Sequence, residues 1–416
     1  MLAGLTLLAL LAACPGDCDG DGHVVVAEVI VAVRIALGDA ETAACRGADA
    51  DGSGDVAIGE VIAAVAAALG GCEPGLRFDP PRRYATGDSP RSLAVGDLDG
   101  DGWPDIVAAN HISNDVSVLL NDGTGGFRPG ATVAVGAIPL GVAIADLDGD
   151  GAADIATANG GSGDVSLLRG RGDGTFDGER RHPAGAGART ILATDVDGSG
   201  TLDLIVAAPG SAGLPVLLGR GDGDFDRIVI GAGFTPWWAA FGDVTGDGRP
   251  DLVTANADAS DLTVLAGLGG GAFAGRSRQA LAHPAFSVAI ADVDGDGAAD
   301  LLTGNGSDAS AWLLRGLGGG SFATPARLAV GAGAFQVHVA DIDGDALPDL
   351  LTANELDGDV SIRLGQGDGT FAADRRVAVG PSLYALAVAD VDRDGALDLV
   401  AATGAADEVA VVRRHR

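Results

Sequence analysis

From residue 92 onward, short apolar runs alternate with clusters of Asp and Gly. Ser92–Gly96 is the first run, Asp105–Ala109 (DIVAA) the second, Asp115–Leu120 (DVSVLL) the third and Phe127–Val135 the fourth. Each is too short for an ordinary helix, is rich in β-forming residues and ends in turn residues, so each predicts a strand. Asn121–Gly126 (NDGTGG) has the chemistry of a tight hairpin turn. Four short antiparallel strands in about 45 to 50 residues make one propeller blade.

The unit repeats. The pattern D-x-D-x-D-G-x-x-D starts at Asp97, Asp146, Asp195, Asp243, Asp292, Asp341 and Asp390, at intervals of 49, 49, 48, 49, 49 and 49 residues. A Gly-rich turn followed by Phe keeps the same beat at Phe78, Phe127, Phe176, Phe225, Phe273, Phe322 and Phe371. The first Phe marker precedes the first Asp loop, and no eighth follows the last. Blade seven therefore lacks a fourth strand, and residues 76–87 supply a spare one. Pairing the two closes a ring and removes exposed edges. The expected fold is mainly β: a seven-bladed propeller over 74–416, closed by strand 76–87. An open solenoid would leave that strand without a purpose.

Four carboxylates within nine residues repel one another, and a hard dication with oxygen ligands is their natural partner. The candidate ligands are Asp97, Asp99, Asp101 and Asp105; Asp146, Asp148, Asp150 and Asp154; Asp195, Asp197, Ser199 and Asp203; Asp243, Thr245, Asp247 and Asp251; Asp292, Asp294, Asp296 and Asp300; Asp341, Asp343, Asp345 and Asp349; and Asp390, Asp392, Asp394 and Asp398. Ser199 and Thr245 keep an oxygen but lose a charge, so weaker sites are expected there. Ala346 stands where the other loops have Gly and lacks glycine's freedom at positive φ.

These repeats resemble the FG-GAP/VCBS family, found also in integrin α-subunits and some mushroom lectins. The resemblance covers 76–416 and implies that the loop between strands one and two of each blade binds Ca²⁺.

The N-terminal segment carries a second calcium pattern. Asp17, Asp19, Asp21, His23 and Glu28 occupy positions 1, 3, 5, 7 and 12 of a 12-residue loop with Gly22 at position 6, and Asp49, Asp51, Ser53, Asp55 and Glu60 repeat it 32 residues later. Each loop feeds a short apolar stripe: Val29, Ile30, Val33 and Leu37, then Val61, Ile62, Val65 and Leu69, with Gly38 and Gly70 as C-terminal caps. Residues 14–73 thus form a small α-helical EF-hand-like pair that resembles a dockerin, although position 12 is Glu where a dockerin usually has Asp. A structural calcium module is favoured over a docking one. Up to nine Ca²⁺ sites result, and they account for 34 of the 58 acidic residues.

A net charge of −32 excludes nucleic-acid binding through a basic surface. Residues 1–13 are apolar and too short to span a membrane as a helix, like a signal segment. Leu11-Ala12-Ala13-Cys14 resembles a lipobox, so Cys14 is either lipidated or a disulfide partner among Cys14, Cys18, Cys45 and Cys72. The expected location is extracytoplasmic, secreted or held at a bacterial surface by a lipid anchor.

Catalytic signatures such as H-E-x-x-H and G-x-S-x-G are absent from the sequence, and no enzyme is expected. Arg171-Gly172-Asp173 and Arg220-Gly221-Asp222 fall in strand 3–4 turns, where Gly-Asp is turn chemistry. Asn110, Asn159, Asn256, Asn305 and Asn354 recur five residues after the last loop Asp and read as caps satisfying their own backbone; His111 and Glu355 beside them are unrepeated. Six residues before each loop stand Arg91, Leu140, Arg189, Trp237, Phe286, Phe335 and Tyr384, with Trp238 next to Trp237. This column lies on the face opposite the Asp loops. It suits sugar rings or carboxylated ligands, or else serves packing between blades. The expected function is a binding module for a glycan or surface protein; a lyase or hydrolase at the channel mouth, or a structural spacer, are the alternatives.

Overall fold

The first strands of neighbouring units contact one another all the way round, from the first unit to the seventh and back to the first, so the repeat region is a ring of sheets and not a stack. In the computed structural model, which describes residues 76–231, 235–306 and 308–415, seven four-stranded antiparallel sheets follow one another. The signal-like segment, the cysteines and both EF-hand-like loops lie outside the described residues.

Blade one is Pro90–Gly96, Asp105–Asn110, Asp115–Asn121 and Phe127–Ala134. Blades two to six begin at Pro139–Ala145, Thr190–Thr194, Trp238–Gly242, Ser287–Ala291 and Ala334–Ala340. Blade seven is Leu383–Ala389, Asp398–Thr403 and Glu408–Val412, and its fourth strand is Arg82–Ala85 from the start of the repeat region. The register is Arg82 to Val411, Arg83 to Ala410, Tyr84 to Val409 and Ala85 to Glu408. The spare strand of the sequence closes the ring.

Second strands read as unbroken apolar runs because both their faces are covered. Ile106 and Ala108 of blade one pack toward blade seven, against Ala385, Val400, Ala402 and Val409. Val107 and Ala109 point the other way, against Val142, Ile155 and Leu168 of blade two. The repeated Phe belongs to these same layers: Phe127 packs between blades one and seven, and Phe371 between blades five and six. The Phe marker is thus a wedge between neighbouring sheets.

Innermost strands present an unpaired edge to the central channel, and side chains of the preceding blade satisfy part of it. Ser92 Oγ accepts from Val142 N–H at 3.2 Å, Ser287 Oγ from Val337 N–H at 3.1 Å and Gln336 Oε1 from Leu386 N–H at 2.9 Å.

His338 occupies a first-strand position that is Ala94, Ala143, Ala240, Ala289 and Ala387 in five other blades. Its Nε2 is buried without a hydrogen-bond partner, and burial pushes its pKa down to about 4. A histidine whose folded pKa lies below its unfolded value of about 6.5 stabilises the fold above that value and loses this stability as pH falls toward 4. The expected loss is about 1–3 kcal/mol across that window. His338→Ala, which installs the residue of the other blades, should flatten the slope of melting temperature against pH relative to wild type. Equal slopes would show that this histidine protonates freely in the fold.

Candidate functional site

Each Asp loop is a chain of local turns. In blade one, Asp97 Oδ1 accepts from Gly100 N–H at 2.8 Å and Oδ2 from Gly102 N–H at 2.9 Å; Asp101 Oδ1 accepts from Trp103 N–H at 2.8 Å. The ninth position differs. Asp105 is fully buried, and its two oxygens accept from Leu98 N–H and Asn121 N–H, both at 2.8 Å. The same pair of bonds recurs on Asp154, Asp203, Asp251, Asp300, Asp349 and Asp398. This carboxylate ties the loop to the end of strand three, a role the sequence reading did not assign. Burial pushes Asp105, Asp154, Asp349 and Asp398 up to about 6, against the opposing pull of those N–H groups.

The arrangement fits a divalent cation. Ligand oxygens of Asp97, Asp99 and Asp101 lie within 4.8 Å of one another, as do those of Asp146, Asp148 and Asp154, of Asp195, Asp197 and Asp203, of Asp292, Asp294 and Asp300, and of Asp341, Asp343 and Asp349. At the third position, buried oxygens lack hydrogen-bond partners: Asp392 Oδ1, Thr245 Oγ1 and Asp148 Oδ2. Arginines also face this position. Arg128 is 3.8 Å from Asp99, Arg315 3.9 Å from Asp294 and Arg413 3.1 Å from Asp392, while the Arg169 guanidinium approaches Asp148 closely without hydrogen-bond geometry.

Turn glycines are explained by the same loops. A Cβ on Gly125 would lie 2.4 Å from Asp392 Cβ of blade seven, and one on Gly271 3.2 Å from Asp197 Cβ of blade three. The strand 3–4 turns of blades one to five each rest on the preceding blade's third loop position, whereas that of blade six meets Arg315. In the two RGD turns, Arg171 pairs with Asp177 at 2.6 Å and Arg220 with Asp226.

Ala346 holds φ at +69°, the left-handed conformation that the equivalent glycines adopt at no steric cost. Ala346→Gly should raise stability by about 0.5–1 kcal/mol, the relief of strain outweighing glycine's extra entropy when unfolded. Denaturant titration at constant m-value checks it; an unchanged or lower midpoint would mean that the loop carries no strain.

The repeated asparagines are buried, but they do not satisfy their own backbone as expected. Asn110 Nδ2 donates to Asp115 Oδ1 at 2.6 Å and Ser117 Oγ at 2.9 Å, and Asn159, Asn256 and Asn354 make the equivalent pairs five and seven residues on. Arginines of strand four complete these corners: Arg181 on Asp164, Arg278 on Asp261, Arg376 on Asp359 and Arg83 on Glu408.

On the opposite face, the column preceding the loops meets at the channel mouth. Trp237 and Phe286 are edge to face at 5.1 Å, and Phe286 and Phe335 lie 5.3 Å apart. The Arg189 guanidinium stacks over Trp237 at 4.0 Å, and that of Arg91 over Tyr384 at 3.6 Å. Leu140, Phe286 and Tyr384 also fill the space where a side chain at Gly160, Gly306 or Gly404 would stand. Beneath the two arginines is a cavity of about 230 Å³, whose lining includes Arg91, Arg189, Leu140, Trp238, Phe335 and Tyr384. Trp237 and Phe286 are not among its lining residues. Burial and the neighbouring Arg91 lower the Arg189 pKa to about 10, and Glu355 pulls against them. His111 is pushed down by burial and by both arginines. His111 and Glu355, the two unrepeated loop residues, thus act electrostatically on these arginines, although neither lines the cavity.

A seven-bladed propeller with an acidic turn in every blade is the class that this geometry defines. The FG-GAP-like repeat pattern matches residues 97–157, 146–206, 195–254, 243–303, 292–352 and 347–401, each match ending in the second strand of a blade. The chain belongs to the FG-GAP-like repeat family. Among solved structures it is similar to BBS1N in its complex with ARL6DN, at 13% identity over 82% of this chain and 98% of that chain, with a TM-score of 0.59. It is also similar to hydrazine synthase of Kuenenia stuttgartiensis, at 14% identity over 79% and 96% of the two chains, with a TM-score of 0.56. These are likenesses of fold. No curated protein sequence matches the chain.

Proposed function

We propose that this chain is a calcium-stabilised binding module that works outside the cytoplasm and recognises a glycan or surface protein at the channel mouth. The observation that carries the reading is the mouth itself. It gathers two arginines, five aromatic side chains and a small cavity, on the face opposite the Asp loops. Aromatic planes and guanidinium groups suit sugar rings and planar polar groups.

In this reading Ca²⁺ sits in the loops, held by the first, third and fifth positions, with the buried ninth carboxylate beside them. The ion supplies the positive charge that three or four clustered carboxylates need. The third-position oxygens of Asp392 and Thr245, buried and unbonded, are the ones that a cation would satisfy.

Binding of the full chain to a glycan array, with calcium and with EDTA, tests the proposal. Calcium-dependent binding to a defined glycan set, lost in Tyr384→Ala, is expected. Failure to bind any glycan or extracytoplasmic protein in calcium would overturn it.

A further inference from the structure

Most arginines that line the blade corners face a carboxylate. Arg181, Arg278, Arg376 and Arg83 each pair with an acidic residue at the start of strand three, and Arg327 with Asp308 just before it. Arg91 and Arg189 do not. Among the described residues no carboxylate lies within 4.0 Å of either guanidinium, although the chain carries 58 acidic residues against 26 basic ones. Their positive charges rest only on aromatic rings.

The neighbouring polar atoms are in the same condition. Arg91 Nε, Trp237 Nε1 and His111 Nδ1 are all buried without a hydrogen-bond partner. A buried polar atom left without a partner is costly, and so is a partly buried cation with no counter-charge. Arg91 Nε belongs to the cavity lining, and Trp237, with its unbonded Nε1, lies under the Arg189 guanidinium; beside two unpaired cations, what is missing is a group that accepts hydrogen bonds and carries negative charge. Glu355 lies close enough to act on Arg189 but not to pair with it, so the mouth keeps an excess of positive charge.

Size and shape narrow the ligand further. The cavity of about 230 Å³ falls below the range of about 300–1,000 Å³ typical of drug-sized ligands, which leaves room for one sugar-sized group. Apolar walls from Leu140, Phe335 and Tyr384 stand beside the arginines, an arrangement that takes a ring by its face and an attached planar anion by a guanidinium fork.

We propose that the channel mouth binds a carboxylate-bearing sugar residue, with Arg91 and Arg189 receiving the carboxylate and the aromatic walls covering the ring. This rests on the binding-module reading and names the ligand class of the same site. The carboxylate can come from an acidic residue of a glycan or from a free organic acid; the ring contacts favour the former.

The test is a titration of the full chain in calcium with sodium glucuronate, glucose, acetate and sulfate. Binding is read by tryptophan fluorescence, since Trp237 and Trp238 stand at the mouth, and by calorimetry. Glucuronate is expected to bind at least tenfold more tightly than glucose or acetate. Arg189→Gln and Arg91→Gln should each weaken glucuronate tenfold or more, with part of the loss restored in Arg189→Lys. Melting curves of each variant in calcium separate loss of the site from loss of the fold. Glucose binding as well as glucuronate, acetate alone matching it, or glucuronate binding unchanged by the substitutions would each overturn the proposal. Neutral glycans captured on the array without need of the arginines would overturn it while leaving the binding-module reading intact. A chain that binds no saccharide or protein at all would overturn both.

Discussion

Removing calcium should lower the melting temperature of the propeller by on the order of 10 °C or more. In the metal-free loops of blades one, two, three, five and six, three carboxylates are held with oxygens within 4.8 Å of one another. The unfolded chain has no such cluster, so a cation held in these loops would bind the folded state far better. That preference stabilises by RT ln(1 + [L]/Kd), about 2.7 kcal/mol per site at a hundredfold excess of metal. Two or three such sites rival the whole net stability of a domain, about 5–15 kcal/mol. Not every loop should respond equally. Arg128, Arg169, Arg315 and Arg413 already place positive charge against the third position in blades one, two, five and seven. Blades three and four lack one carboxylate each, at Ser199 and Thr245, and should release metal first. High salt should partly rescue the metal-free protein by screening the bare carboxylates. Melting followed by circular dichroism across a calcium titration, after chelation and with magnesium as a control, decides the matter. Identical melting with and without EDTA would show that the arginines and backbone N–H groups suffice and that calcium is not structural.

Much of this fold is legible in the sequence, and the reason is repetition. The interval of 49 residues located every blade, and the phase of the Phe marker located the closing strand. Local patterns failed where a side chain's partner lies far along the chain or across the ring. The ninth loop Asp looked like a metal ligand alone; its bond to Asn121 N–H, 16 residues on, depends on where strand three ends. The asparagines looked like self-capping turn residues; their true partners, Asp and Ser or Thr five and seven residues later, are visible as a recurring N-x₄-D-x-S/T once the corner is known. His338 stood out only by comparison with the alanines that share its place in the other blades. The mouth column was aligned correctly by phase, but phase does not say that Trp237, Phe286 and Phe335 touch, or that Arg91 and Arg189 lack carboxylates. Those facts belong to the closed ring, in which seven positions far apart in sequence converge on one axis.

Deleting residues 78–87 should cost the propeller its solubility, and supplying the same strand from the other end should restore it. Arg82–Ala85 covers the outer edge of Glu408–Val412, a strand whose Val409, Ala410, Val411 and Val412 are buried. Tyr84 packs in the layer between blades one and seven, edge to face with Phe127 at 5.4 Å. Further bonds clamp the strand at both ends: Thr86 N–H to Asp407 O at 2.9 Å, Asp79 N–H to Arg413 O at 2.8 Å, and Arg83 to Val379 O at 2.6 Å. Without the strand, an apolar β-edge opens to solvent, the geometry that templates edge-to-edge aggregation. Tyr84→Ala keeps the backbone pairing and should cost somewhat less than the about 3–5 kcal/mol of a fully buried aromatic. The informative variant deletes 78–87 and appends the same residues after Arg416 through a short flexible linker. His415 Nε2 lies 2.8 Å from Asp79 Oδ1, so the appended strand starts beside its own place in the sheet. That chain should be monomeric by size-exclusion chromatography and melt within a few degrees of wild type, while the simple deletion aggregates. A deletion variant that stays soluble and melts unchanged would show that the ring is held by its inter-blade layers alone; a restored strand that fails to rescue would show that closure must precede the folding of blade one.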